Sequence, residues 1–218
     1  MRTLVFVHRW LGVALCAVFL LWFPSGIGMM YWDYPSVSPA DRLRHAPALD
    51  PATIRLSPAE AYATLQLTDP PPPPVLNTFN GHPAYRFRFG NDGEAVVLAD
   101  TGEQPIGFTD ADLAAAAAQW TGQSASVAQV ETITTVDQWT VQNEFDDLRP
   151  LRKYSWPNGE QVYVSENTGE VVQYTTRGSR LGAYVGAIPH WLYFTPLRKH
   201  GETWTRVVVW SSGIGAIA

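Results

Sequence analysis

The sequence predicts an α+β protein. Two repeats, each a helix followed by an antiparallel meander, are expected between an N-terminal transmembrane helix and the start of a second membrane helix. Three observations predict this class: the run from Trp10 to Trp32 holds 23 residues without Asp, Glu, Lys or Arg; two similar stretches carry a turn dipeptide and then Thr-Gly-Glu; and a second weakly charged apolar region follows them. A helix and then an antiparallel sheet, twice over, is the α+β pattern.

Composition narrows the class of protein further. The 218 residues suffice for one or two domains with a buried core. Charged residues are only 16% of the chain and aromatic residues 12%, so apolar segments are concentrated, as in a membrane protein. The net charge of -5, with no long basic run, excludes nucleic acid as an expected partner. The single cysteine, Cys16, excludes an internal disulfide framework and a cysteine-rich metal site.

Residues 1–33 are predicted to form the transmembrane helix, because their uncharged run can cross about 30 Å of hydrocarbon. Arg2 and Arg9 lie before that run and no acidic residue occurs before Asp33, which predicts a cytoplasmic N-terminus and an external middle region. Pro24 is expected to kink the helix without forbidding it. A cleaved signal peptide is the alternative, disfavoured because the run is long and no small-x-small site follows promptly.

Each predicted repeat, 52–108 and 109–178, opens with a helix. Ser57-Pro58-Ala59-Glu60 is a capping box with proline at the first helical position, and it predicts a helix ending at Leu67. In the second repeat Thr109 is the expected cap, with Asp112 three residues later, and the helix is predicted to end at Trp120. The prolines 70–74 are expected to form a stiff spacer between the first helix and its sheet.

The meanders are predicted from the two similar stretches, Ala84 to Glu103 and Lys153 to Val172. Each has a strand, a tight turn at Asp92-Gly93 or Asn158-Gly159, a second strand and then the Thr-Gly-Glu reversal, so three strands are expected. Gly159 follows Gly93 by 66 residues, which sets the repeat spacing. In the second repeat, "VAQVETITT" and "QWTVQNEF" are predicted as further strands.

Alternation within the first meander predicts how its sheet is buried. Tyr85, Phe87 and Phe89 share one face, which is expected to be core, while Arg86 and Arg88 share the other, which is expected to face solvent or an anionic ligand.

A group of carboxylates, Glu144, Asp146 and Asp147, could bind a hard cation, but the nearby Arg149 favours a charge-balanced turn.

The C-terminal part begins with residues 179–200, predicted as an interfacial or re-entrant segment. Leu181 to Leu197 is a 17-residue uncharged run, and two prolines make it too broken for a straight span. Residues 201–218 are predicted to start a second transmembrane helix. Its 12 residues after Arg206 cover about half a crossing, which favours a fragment of a longer polytopic protein over a complete protein ending in a short buried helix.

Four stretches of the sequence form a recognisable set: "HRWLG" from His8 to Gly12, "DQWT" from Asp137 to Thr140, "VYVSENTGEVV" from Val162 to Val172, and Arg180 to His200. Together they resemble the PepSY-domain family with PepSY-associated transmembrane helices. The resemblance implies a bacterial inner-membrane protein with its repeats in the periplasm, related to siderophore-iron reductases that carry heme b between membrane helices. It also leaves open a non-enzymatic module that binds peptide or restrains a protease or sensor.

This family implies heme-dependent electron transfer in siderophore-iron reduction, and His8 and His190 are the candidate axial ligands of heme b. They are expected at opposite sides of the bilayer and therefore cannot ligate the same heme. The missing ligands are expected from membrane helices beyond residue 218 or from a partner. The alternatives are headgroup contact for His8 and an aromatic interface belt for His190. The sequence contains no self-contained catalytic motif such as G-x-S-x-G, H-E-x-x-H or C-x-x-C.

Overall fold

A computed structural model of the chain describes residues 2–79, 81–90, 93–105 and 107–217. The predicted turn residue Asp92 lies outside these ranges. Within them the helices are α1 (Arg2–Met29), α2 (Pro39–His45), α3 (Pro58–Ala63), α4 (Asp110–Thr121), α5 (Arg177–Val185), α6 (Ala187–Trp191), α7 (Thr195–Arg198) and α8 (Gly201–Ile217). The strands are β1 (Val75–Phe79), β2 (His82–Arg88), β3 (Glu94–Leu98), β4 (Gln129–Ile133), β5 (Leu151–Ser155), β6 (Gln161–Ser165) and β7 (Val171–Thr175). The predicted α+β class is confirmed.

The chain divides into two compact units. The helical unit comprises Met1–Ser36, Thr135–Asn143 and Thr175–Ala218, and the sheet unit comprises Val37–Thr134 and Glu144–Tyr174. The short middle segment of the helical unit leaves the sheet unit after β4 and returns to it before β5.

In the helical unit, α1 is 28 residues long and carries Pro24 in its interior, as expected. Among the described residues it is the one helix long and apolar enough to cross a membrane, a property that membrane anchors and signal sequences share. Its large apolar side chains are mostly exposed, including Leu20 and Phe23. The predicted 179–200 segment is divided into α5, α6 and α7, and residues 201–217 are helical as expected. The membrane position of these helices stays a prediction.

In the sheet unit, a helix precedes each sheet. The predicted caps are confirmed: Ser57 opens α3 and Thr109 opens α4, each in a capping box. The predicted end of α3 at Leu67 is wrong, because Gln66 has a φ of 56°, outside the helical region, and the helix stops at Ala63. The helix α4 runs one residue past the predicted end, and Gly122 ends it with a φ of 69°.

The first sheet has the order β1-β2-β3 and is antiparallel throughout. Three strands are therefore present, but the third was predicted after Thr-Gly-Glu and instead precedes the others as β1. The reason lies in the backbone: the amide of Leu98 donates to the Glu103 carbonyl and closes a loop, while the amides of Arg55 and Leu56 both donate to the Ala99 carbonyl at the end of β3. The helix α3 covers this sheet: its Tyr62 belongs to the same buried cluster as Tyr85 and Phe87 of β2.

The second sheet has the order β4-β5-β6-β7, and its predicted strand at "VAQVETITT" is confirmed as β4. The predicted strand at "QWTVQNEF" is wrong. Residues 138–143 form bonds inside the helical unit instead of joining a strand, and Asn143–Phe145 is a short 3-10 turn. The helix α4 covers the sheet through Leu113 and Trp120.

The prediction that the Arg86 face of β2 meets solvent is also wrong. Arg86 is only 2% exposed, although Arg88 at the strand end is exposed as expected. As the central strand of three, β2 is covered on both faces along its middle.

Candidate functional site

The first candidate site is His190, whose ring lies against the last third of α1. Its Nδ1 atom is 3.3 Å from the Trp22 carbonyl oxygen and 3.3 Å from Ser25 Oγ. The Ser25 hydroxyl itself donates to the Trp22 carbonyl at 3.0 Å. The contact joins α1 to α6 across 165 residues of sequence.

A glycine on α1 makes room for this ring. A Cβ atom built on Gly26 would lie 3.3 Å from His190 Cε1, tighter than an ordinary van der Waals contact. A larger side chain at position 26 would therefore push the imidazole away from Ser25.

The partners of Nδ1 determine where the ring proton resides. A backbone carbonyl can only accept a hydrogen bond, so Nδ1 is the donor, and the neutral imidazole keeps its lone pair on Nε2. The ring is half-buried. Histidine ligands of metals commonly have this arrangement, with one nitrogen donating to a carbonyl and the other free to ligate.

The chain after His190 is held by Gln138, from the middle segment of the helical unit. The Gln138 side chain donates to the Tyr193 carbonyl at 2.6 Å and accepts from the Thr195 hydroxyl at 2.8 Å and its amide at 3.2 Å. The Tyr34 hydroxyl donates to the Gln138 carbonyl, and burial raises the pKa of Tyr34 well above its ordinary value. Gln138 thus ties the residue stretch after α1 to the stretch before α8.

Arg198 completes this arrangement at the entrance to α8. Its guanidinium donates to the Val141 carbonyl at 2.6 and 3.2 Å and lies over the Trp204 ring, 4.4 Å from its centre. The Trp204 indole in turn donates to the Trp191 carbonyl at 3.0 Å. These contacts fix the start of α8 relative to α6.

The other candidate ligand, His8, is not brought near His190. It lies exposed on α1, 17 residues before Ser25, which is about 25 Å along a helix axis. His200 is also exposed, and a helix break at Leu192 (φ 54°) separates it from His190.

In the sheet unit, Arg86 is the centre of a buried charged cluster that sequence reasoning missed. Its guanidinium lies 3.3 Å from Glu94 and 3.4 Å from Glu170, and it donates to the Thr168 carbonyl at 2.8 Å. Glu170 belongs to the second Thr-Gly-Glu, so the cluster joins the two sheets. A Cβ atom on Gly169 would lie only 2.6 Å from Phe108, which shows how closely this turn is packed.

Beside this cluster is a cleft of about 540 Å³ with walls of both charges. Its basic side chains are Arg42 and Arg88; its acidic ones are Glu94, Glu144, Asp147 and Glu170. Of the three predicted carboxylates, Asp146 pairs with Arg149 at 2.5 Å, as in the predicted charge-balanced turn. In the described ranges, no three or more His, Cys, Asp or Glu side chains are grouped so as to hold a metal ion.

A smaller polar contact lies at the end of β3. His82 Nδ1 is 2.6 Å from Asp100 Oδ2, and this hydrogen bond lowers the pKa of Asp100 from its ordinary value.

Comparison of the chain with protein-family models, with curated proteins and with solved structures gave no match. The PepSY resemblance accordingly stays a prediction.

Proposed function

We propose that this chain is the periplasmic and membrane-anchor portion of a PepSY-family inner-membrane protein that transfers electrons through heme b to reduce siderophore-bound iron. In this proposal α1 spans the bacterial inner membrane with its N-terminus in the cytoplasm, and the two repeats are PepSY modules in the periplasm. The observation that carries the proposal is the orientation of His190, whose Nδ1 lies 3.3 Å from both the Trp22 carbonyl and the Ser25 hydroxyl of α1, so that Nε2 is the nitrogen that would ligate.

The residues around His190 fit a role as axial ligand. Trp22 and Ser25 fix the ring, Gly26 gives it room, and half-burial shields it from water. Heme b, when bound, supplies a one-electron redox centre. His8 would ligate a second heme near the other end of α1, because it lies about 25 Å along that helix from Ser25, the residue that His190 contacts. Each needs a second ligand from a further membrane helix, either of a longer chain or of a partner.

The test is a reduced-minus-oxidised absorption spectrum of the protein extracted from bacterial membranes together with the helices that accompany it. We expect a b-type spectrum that loses about half its amplitude in His190→Ala and about half in His8→Ala, since each variant removes one of two sites. His200→Ala is the matched control and should keep the full spectrum. A colourless wild-type preparation would refute the heme proposal.

The second candidate function is a non-enzymatic module that binds peptide or restrains a protease or sensor. It is favoured by the cleft in the sheet unit, whose fixed charges of both signs suit a peptide carrying both. The described residues provide no cationic partner for Glu144 or Asp147. Charge reversal by Asp147→Lys should alter peptide capture and leave any heme spectrum unchanged. His190→Ala should alter the heme spectrum and leave peptide capture unchanged. Fluorescence polarisation with a library of labelled peptides measures the capture.

A further inference from the structure

We propose that α5 and α6, residues 177–191, form a wedge that enters the outer leaflet of the bilayer beside the last turns of α1. The partner of its outward face is the acyl-chain region of that leaflet. This inference rests on the membrane anchoring of α1 in the proposed function, and it adds a depth and a direction for the segment that carries His190.

The order of contacts along the wedge gives its direction. Gly182 lies against Trp32, since a Cβ there would be 2.6 Å from Trp32 Cγ. Gly186 lies against Gly28, since a Cβ atom on Gly28 would be 3.1 Å from the Gly186 Cα. His190 then reaches Ser25. As the wedge advances from residue 182 to residue 190, its partner moves back from residue 32, just after α1, to residue 25 within α1. The wedge therefore runs antiparallel to α1.

The same contacts give the depth. Four residues separate Met29, the end of α1, from Ser25, which is about 6 Å at the rise of an α-helix. If the end of α1 is at the membrane surface, His190 lies about 6 Å below it, near the boundary between headgroups and acyl chains.

The chain then turns back towards the surface. Leu192 has a φ of 54°, in the left-handed region, and ends α6. Directly after it, the Tyr193 ring meets the Tyr34 ring edge-on at 5.6 Å, and Gln138 binds the Tyr193 carbonyl. Since Tyr34 lies two residues after Trp32, the chain at Tyr193 has returned to the end of α1 that Gly182 lies beside. His190 is thus close to the lowest point of a re-entrant segment.

The outward face of the wedge is chemically suited to lipid. The small residues Gly182 and Gly186 lie against Trp32 and Gly28, while the apolar side chains of Leu181 (67% exposed) and Val185 (49% exposed) form the outward face. Ile27 on α1 and Met30, directly after α1, also have exposed apolar side chains. No charged residue occurs between Arg180 and Arg198, so charges lie only at the two ends of the segment.

The backbone amides of the wedge donate hydrogen bonds within the segment, which is a requirement for entry into lipid. The amide of Gly186 donates to Gly182, that of His190 to Gly186 and that of Tyr193 to Ile188, so the break between α5 and α6 and the turn after α6 both keep hydrogen bonds.

Spin labelling of the full chain tests the depth. In a Cys16→Ser background, single cysteines replace Leu181, Val185 or Trp191, and the chain is reconstituted in vesicles of phosphatidylcholine and phosphatidylglycerol. Ile27→Cys on α1 is the membrane control, and Val127→Cys, exposed in the sheet unit, is the water control. Electron paramagnetic resonance then compares collisions with oxygen and with a water-soluble nickel chelate. We expect depth to increase in the order 181, 185, 191, because that is the order along α1.

The results separate the wedge from the anchor. If position 27 is protected from nickel while 185 and 191 are as accessible as 127, the wedge proposal is overturned and the membrane anchoring of α1 stands. If position 27 is accessible as well, the anchoring itself fails and the wedge fails with it. The Leu181→Cys and Val185→Cys labels keep the comparison of depths available should Trp191→Cys not fold.

Discussion

Gly28 of α1 and Gly186 between α5 and α6 meet backbone to backbone. A Cβ atom on Gly28 would lie 3.1 Å from the Gly186 Cα, and one on Gly186 would lie 3.1 Å from the Met29 amide nitrogen. Neither position can hold a side chain without separating the two segments. Since His190 is four residues beyond Gly186, this contact also sets how closely the imidazole approaches Ser25.

We expect Gly28→Val to destabilise the helical unit by about 1–3 kcal/mol, because the added side chain overpacks a backbone contact. The measurement is thermal unfolding in detergent, followed by tryptophan fluorescence. Gly12→Val is the matched control on the same helix, since a Cβ at Gly12 meets nothing within 4 Å. Equal melting temperatures for the two variants would contradict the packing described.

Gln138→Leu should loosen the segment between α6 and α8. The change removes the side-chain partners of the Tyr193 carbonyl and of both Thr195 donors, at a cost of about 1–3 kcal/mol. Hydrogen exchange measured by mass spectrometry should speed up in the peptide covering residues 193–198. Gln129→Leu, on the exposed edge strand β4, should leave that peptide unchanged. Unaltered exchange in Gln138→Leu would show that the other contacts hold the segment alone.

Arg86→Ala should be the most damaging change in the sheet unit. It leaves Glu94 and Glu170 buried without their main cation, which costs about 3 kcal/mol. The neighbouring Arg88, which is 55% exposed and touches the same two carboxylates, is the control, and Arg88→Ala should cost about 1 kcal/mol or less. Urea titration of the detergent-solubilised chain compares the two variants. Similar midpoints would mean that Arg88 or Arg42 replaces Arg86.

The His82 to Asp100 hydrogen bond predicts an acid-sensitive contribution to stability. Because the folded pKa of Asp100 lies below its ordinary 3.8, the contribution is present above that value and is lost as the pH falls through the folded pKa. His82→Ala should therefore reduce the melting temperature at neutral pH, and the difference from wild type should shrink in acid. Asp100→Asn should also reduce the melting temperature at neutral pH by an amount that shrinks in acid. Asp69→Asn, at an exposed site, should leave the melting temperature unchanged. A pH-independent difference would contradict the assignment.

Local patterns predicted the parts of this fold that local contacts determine. Ser57 and Thr109 were identifiable as caps because their hydrogen bonds reach only three residues along the chain. The burial of Arg86 was not predictable from alternation, since its partner Glu170 is far along the sequence, in the other repeat. The segment 138–145 has strand-like composition, yet its bonds with Tyr193 and Arg198 draw it away from any sheet.

The candidate site shows the same division. An isolated histidine in an aromatic, uncharged run was enough to select His190. Its orientation depends on Ser25 and Trp22, which no sequence pattern near residue 190 reveals. The glycines that permit the approach could have given a signal, because Gly182 and Gly186 on the wedge are four residues apart, which is the spacing of close-packed helices.

The nine-residue excursion, Thr135–Asn143, determines how the sheet unit can be prepared alone for crystallisation. A contiguous fragment from Val37 to Tyr174 would retain Trp139 and Gln138 but lose Tyr34 and Tyr193, which contact them. Such a fragment would expose the aromatic side chain of Trp139 to solvent and would be prone to aggregate. Replacing the excursion with a short glycine-serine bridge from Thr134 to Glu144 should give a better-behaved sample, because both residues belong to the sheet unit and the flanking strands β4 and β5 are already paired at Ile133 and Leu151.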